Sequence, residues 1–329
     1  MDMPRLSAPT WRRPSAIAGT APAAPVADRL AALVGLLALA TSALPHLIDT
    51  GELYLDAPGE SVHAVTALPW MPTYAMADGR EVVLGAYGGT SYTHPSAVRI
   101  VKPGAIDLTV KDFGWIGMPF KSPIYYGLRA QHWSSPGAAV GTMLDFTHAK
   151  AIARADDRAT FSGTRAGKTV APQARIGEVF KHLEFSHGHN MVTLNALYRM
   201  PAFWTRIRPY VGGGAGVAVP HTEIGFRDDE ARTYEYQYAG LVGQVLAGIE
   251  ISLGRSSVFV EYKFSLSPYE VPLSQEPKGW LLIADLWRQL RAWSRGELPP
   301  GGRLSTTLAT NHAIAGVLVR AGRPATSTR

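Results

Sequence analysis

Again and again along this chain, runs of about ten residues alternate between apolar and small or polar side chains, the period of a β-strand whose two faces meet different surroundings. In VFVEYKF, Val258, Val260, Tyr262 and Phe264 share one face while Phe259, Glu261 and Lys263 share the other. An ion pair on one face beside a wholly apolar opposite face suits a strand with lipid outside and a lumen inside. The same division sets Ile124, Tyr126, Leu128 and Ala130 against Tyr125, Gly127, Arg129 and Gln131. It sets Val192, Leu194, Ala196 and Tyr198 against Thr193, Asn195, Leu197 and Arg199, and Val211, Ala215, Val217 and Val219 against Tyr210, Gly212, Gly214 and Gly216. Backbone groups in lipid must be paired internally, so such strands have to close into a barrel.

The spacing of the strands carries the argument further. Strands are expected near 82–92, 123–133, 138–149, 188–200, 206–219, 235–252, 257–266 and 307–320. The second, fourth and sixth links are then short, and the first, third, fifth and seventh long: 93–122, 150–187, 220–234 and 267–306. Tight turns at one end and long loops at the other are the habit of outer-membrane barrels, with every long loop outside the cell. The expected fold is therefore all-β, an antiparallel transmembrane β-barrel of about eight strands. Its long extracellular loops carry short helices near 176–184 and 280–293; the Leu, Ile and Trp stripe of the second lies either on the membrane surface or over the barrel mouth.

Composition narrows the remaining classes. With 33 Gly and 24 Pro in 329 residues the chain is too rich in helix breakers for a bundle, and without Cys it has neither disulfides nor thiolate chemistry. The net charge of +6 is scattered, with no basic run or stacking motif for nucleic acid, so an anionic lipid headgroup is the fitting partner. Arg5, Arg12, Arg13 and Arg29 precede the apolar run Leu30–Ile48, which reads as a signal peptide ending at Ala43; an uncleaved anchor is the alternative. The organisation expected is a leader at 1–43, a periplasmic N-terminal segment at 44–80, the barrel at 81–320 and a disordered tail at 321–329. The tail ends on Arg329, where outer-membrane barrels usually end on an aromatic residue.

Histidines and carboxylates crowd at the outer ends of the third to fifth strands: Asp145 and His148; His182, Glu184, His187 and His189 in KHLEFSHGHN; His221 and Glu223 in PHTEIGF. Neighbouring strands lie about 5 Å apart, so these groups are expected to converge. His187 and His189, two apart, are expected on one face, with Asp145 on the lumen face of the next strand. Imidazoles plus a carboxylate with open positions suit a divalent metal, or non-haem iron, able to bind O2. A polar network at headgroup level is the plainer alternative. Ser186 with His187 or His189 and Glu184 makes a third, acyl-transfer reading. In the first long loop, Asp112, Trp115 and Lys121 beside His94 form either a phosphate or sugar contact or a packed lid. Arg129, Asp145, Glu250, Glu261 and Lys263 are expected as a structural lumen network.

The segments VKDFGWIGMPFKSPIYYGLRAQHW, GEVFKHLEFSHGHNMVTLN, RPYVGGGAGVAVPHTEIGFRDDEARTYEYQYAG and VFVEYKFS resemble the lipid A oxidases of rhizobia and related alphaproteobacteria, over roughly residues 80–320. That resemblance implies an enzyme of the Gram-negative outer membrane. It would use O2 to oxidise the proximal glucosamine of lipid A, in lipopolysaccharide of the outer leaflet, to 2-aminogluconate with release of H2O2. No nucleotide-binding Gly-rich motif follows a strand, because GGGAG lies within one, so a divalent metal is the economical electron acceptor. The roles then come from the sequence alone. His148, His187, His189, His221 and Glu223, with Asp145, are the candidate ligands, and Glu184 takes the hydroxyl proton, so that Glu184, His187, His189 and Asp145 stand as the catalytic candidates. A lipid A deacylase on a similar barrel and a non-catalytic barrel are the competing classes.

Overall fold

The computed structural model describes residues 74–202, 206–274 and 283–324; the expected leader, most of the N-terminal segment and the end of the tail lie outside these. Eight long strands form its frame: β1 (Glu81–Thr93), β2 (Tyr126–Trp133), β3 (Val140–Ala153), β4 (Phe180–Arg199), β5 (Ile207–Ala218), β6 (Gly240–Leu253), β7 (Ser256–Pro272) and β8 (Arg303–Arg320). Each pairs antiparallel with the next, and β8 pairs back onto β1 from Thr310↔Thr93 to Arg320↔Val83, which closes the ring. The short and long links alternate as the sequence pattern requires.

The wall alternates as expected. Leu84, Leu128, Leu144, Leu194, Val260 and Val317 point outward with more than half of each side chain exposed, an unpartnered apolar belt that a bilayer covers. Among the described residues no helix is long and apolar enough to cross a membrane. Inward, Arg129 makes a bidentate pair with Glu261 at 2.8 and 2.9 Å and reaches Asp145 at 3.3 Å, while Lys263 pairs with Asp145. Lower down, Glu81 joins Arg199 at 2.8 Å and Arg320 at 2.9 Å, and Arg320 also holds Glu250. The expected lumen network is thus present, and it fills the small barrel.

A second storey stands above the belt. β4 has 20 residues, about twice the 9–11 that span a bilayer, so half of it projects outward. Much of the long-loop sequence is strand that widens this extension: Ser96–Lys102, Ile106–Phe113, Arg158–Arg165, His221–Phe226 and Arg232–Tyr236. Their inward side chains, among them Val98, Ile100, Leu108, Phe161 and Ile224, join Phe185 of β4 and Leu304 of β8 in a continuous apolar core above the polar lumen.

The expectation of a helix over 176–184 is corrected here. Helix α1 covers only Ile176–Val179, one turn, and β4 begins at Phe180, because Leu183 and Phe185 enter the core while His182 and Glu184 point away, a period of two. Helix α2 (Ile283–Ser294) packs its Trp293 edge-to-face against Tyr238 with ring centroids 5.4 Å apart and turns Ile283 and Trp287 to the outside.

Candidate functional site

Inward positions of the second storey are taken by its core, so the alternate positions form an outward face continuous with the lipid belt. On β3, Leu144 and Phe146 are followed on that face by His148 and Lys150, each step about 6.6 Å farther from the bilayer. On β4, Leu194 and Val192 are followed by Asn190 and, beyond a bulge, by Glu184 and His182. Strand His221–Phe226 adds His221 and Glu223, because Ile224 and Phe226 are its core residues. Its partner strand adds Tyr236, opposite His221, and Tyr234, opposite Glu223.

The polar side chains of this face are in contact. His148 donates from Nδ1 to Asn190 Oδ1 (2.8 Å) and stacks on Tyr126 at 4.8 Å. The rings of His187 and His221 are 4.9 Å apart, and His221 sits between Tyr234 and Tyr236 at 4.4 and 4.8 Å. His182 Nδ1 lies 3.4 Å from Glu184 Oε1 and 3.2 Å from Glu223 Oε1, and Arg232 Nη2 donates to Glu223 at 2.6 Å. Burial, followed by the neighbouring charges of His187 and Arg232, pushes His221 down to about 4, so its ring is neutral at physiological pH. Burial likewise lowers the Lys150 ammonium, which donates to the Lys121 carbonyl.

Two of the residues expected here belong elsewhere. Asp145 does not join the imidazoles: it points into the lumen, fully buried and tied to Arg129 and Lys263, because odd-numbered residues of β3 face inward. His189 also faces inward, where its Nδ1 meets the Tyr269 hydroxyl. The expectation that it shares a face with His187 is corrected by the bulge at Gly188, whose φ of 136° shifts the register of β4 between Phe185 and His189. Trp115 of the first long loop is packed in the core with its Nε1 donating to Ser96 Oγ at 2.9 Å, the packed-lid alternative.

The donor set fits a divalent metal. His182, Glu184 and Glu223 each offer one ligand atom within 4.8 Å of the others, and His148 Nε2 and His221 Nδ1 are buried on the same face without hydrogen-bond partners. Lys150, Asn190, Arg232, Tyr126, Tyr234 and Tyr236 were given no site role by sequence reasoning, and His182 was counted among the converging groups but not among the ligands. The available signal was the two-residue alternation of His182 and Glu184 with core residues, which a helical reading of 176–184 conceals.

A closed ring of eight strands, alternating polar inside and apolar outside, with long connections at one end, decides the class. The chain is an outer-membrane β-barrel. No family model and no curated protein matches it. Among solved structures, this barrel is similar to the outer membrane protein OprG from Pseudomonas aeruginosa (10% identity, 76% of this chain and 99% of that chain, TM-score 0.38). It is similar to Neisserial surface protein A (10% identity, 73% and 96%, TM-score 0.30) and to the outer membrane protease OmpT from Escherichia coli (9% identity, 76% and 99%, TM-score 0.38).

Proposed function

We propose that this barrel is a lipid A oxidase, which uses O2 to convert the proximal glucosamine of lipid A to 2-aminogluconate and releases H2O2. The observation that carries the reading is the direction of the polar patch. His148, His187, His221, Glu184 and Glu223 face outward, directly above the apolar belt, and so face the headgroup sugars of outer-leaflet lipid. Arg232 on the same face offers positive charge to an anionic headgroup, and Tyr126, Tyr234 and Tyr236 offer ring faces and hydroxyls to a sugar.

The chemistry removes two electrons and two protons from the C1–H and O–H of the free anomeric centre, giving a lactone that water opens to the acid. O2 takes up the two electrons and two protons as H2O2, so the sugar gains one oxygen atom in balance. A divalent metal held by the histidines and carboxylates of this patch would supply the redox centre for that two-electron transfer. Glu184, partly open to the outside, takes the anomeric hydroxyl proton, and the neutral ring of His221 holds a sugar hydroxyl.

One contact favours a second reading. Ser186 Oγ lies 3.3 Å from His187 Nδ1, the first two members of an acyl-transfer relay. Among the described residues, however, no carboxylate hydrogen-bonds His187 to orient it.

The test is mass spectrometry of lipid A lacking its 1-phosphate after incubation with the detergent-solubilised protein, in air and under argon, with and without chelator. The oxidase adds one oxygen atom in air alone and loses this activity with chelator. Loss of an acyl chain in both atmospheres moves the assignment to the deacylase, and unchanged lipid overturns both.

A further inference from the structure

Glu184 and Glu223 stand directly opposite each other where β4 pairs with strand His221–Phe226. Like charges at cross-strand positions repel, so this pair calls for a cation between them. His182 supplies Nδ1 at 3.4 and 3.2 Å from the two carboxylates, which leaves one imidazole and two carboxylate oxygens gathered on one side of a point open to the outside. Two residues before Glu223 and on the same face, His221 is buried with its Nδ1 unpartnered, a further nitrogen for a ligand or for a water bound to one.

Among the described residues the guanidinium at the pair is that of Arg232, and it is held loosely. Its Nη2 reaches Glu223 at 2.6 Å, but its side chain is 45% exposed against 5% for the carboxylate it meets. Its guanidinium carbon also rests 4.3 Å from the ring centre of Tyr234, a second attachment that does not depend on Glu223. Among the described residues, neither Lys nor Arg reaches Glu184 within ion-pair distance.

We propose that His182, Glu184 and Glu223 form a site for one redox-capable divalent cation of the Mn2+, Fe2+ or Co2+ class, and that Arg232 is its internal competitor. When the metal enters, Glu223 exchanges the guanidinium for the ion, and Arg232 stays over Tyr234. Each carboxylate ligates through one oxygen, so the second oxygen of Glu184 remains free to take a proton. One imidazole with two carboxylates and open outward positions suits these borderline ions better than soft ones. The inference rests on the reading of the outward patch as the working end of the barrel, and names the residues that hold its metal.

The test uses the full detergent-solubilised barrel, stripped with chelator and titrated with Co2+ alone, with visible absorption and calorimetry as readouts. One equivalent is expected to bind, with Glu184→Gln and Glu223→Gln each weakening it by about tenfold or more. Arg232→Gln is expected to tighten binding roughly fivefold, since it removes a half-exposed ion pair that the metal must displace. Heat-modifiable gel mobility confirms that each variant is a folded barrel. Co2+ binding indifferent to both Glu substitutions overturns the site, and Arg232→Gln binding no more tightly than the parent overturns the competition. Stoichiometric binding of the expected pattern without any gain of oxygen by lipid A sinks the oxidase reading and leaves the metal site standing.

Discussion

His187 and His189 are two residues apart in one strand and lie on opposite faces of the wall: the first is exposed with its ring 4.9 Å from His221, the second is buried against Tyr269. Gly188 makes this division. Its φ of 136° is open to glycine at little cost, and a Cβ there would lie 2.3 Å from the Asn190 side chain. Gly188→Ala is expected to cost about 1–3 kcal/mol and to misplace His187 relative to His221. The thermal midpoint in detergent should fall, and lipid turnover should fall beyond what the folded fraction explains. Unchanged turnover in Gly188→Ala would show that the bulge is irrelevant to the patch.

Carboxylates of the two faces should behave oppositely. Asp145 neutralises Arg129 and Lys263 inside the barrel, so Asp145→Ala leaves buried positive charge and is expected to cost about 3–5 kcal/mol. Glu184→Gln removes an outward carboxylate and is expected to keep stability within about 0.5 kcal/mol while lowering turnover by about 10²–10⁴-fold. Urea unfolding in parallel with the lipid assay checks both. If Asp145→Ala were fully stable and inactive, the lumen carboxylate would be the functional one.

Ser186 offers a sharper division between chemistries. Its hydroxyl touches His187 at 3.3 Å but has no part in the metal trio, so Ser186→Ala is expected to retain oxidation within about twofold. Abolished turnover with released fatty acid in the parent would transfer the activity to an acyl-enzyme route.

The strand pattern made the barrel legible almost to its boundaries, because lipid outside and a packed lumen inside write a two-residue period into every strand. Arg129, Glu261 and Lys263 announced the lumen network for the same reason: each is a charge at an inward position of an otherwise apolar strand. The second storey was harder to read. Its outward face is not lipid, so polar residues such as His182, Glu184 and Lys150 occur where the belt below would demand apolar ones, and the contrast between faces changes sense along a single strand. Convergence of the His-rich segments held for His148, His187, His221, Glu184 and Glu223 as neighbours on one face. It failed for Asp145, where strand parity governs direction, and for His189, where one extra residue at a bulge reverses it.

The outward patch should respond to acid. His221 is held near 4 in the folded barrel and titrates near 6.5 when unfolded, so between those values the unfolded chain binds more protons. Stability is therefore expected to be full above about pH 6.5 and to decline as pH falls toward 4. His221→Gln should flatten that decline when the unfolding midpoint is measured across the window. A parent whose midpoint rises as pH is lowered would contradict the buried, neutral ring.

The lumen bears on a class of function that a barrel always invites. An eight-stranded barrel is just wide enough for its own side chains. Here the inner end holds Glu81, Arg199, Glu250 and Arg320 in contact, the middle holds Arg129, Asp145, Glu261 and Lys263, and the outer end is closed by Phe185, Tyr269, Leu304 and Leu308. An ion entering from the inner end meets bound counter-charges and then an apolar plug, and one entering from outside meets that plug first; the plug offers no replacement for its water. The barrel is expected to give no step conductance in planar bilayers bathed in concentrated KCl. Glu184→Gln and Arg232→Gln should be equally silent, since both residues lie outside the wall. Steady single-channel steps from the parent protein would mean that the core above the lumen opens, and would move the chain from a surface catalyst toward a pore.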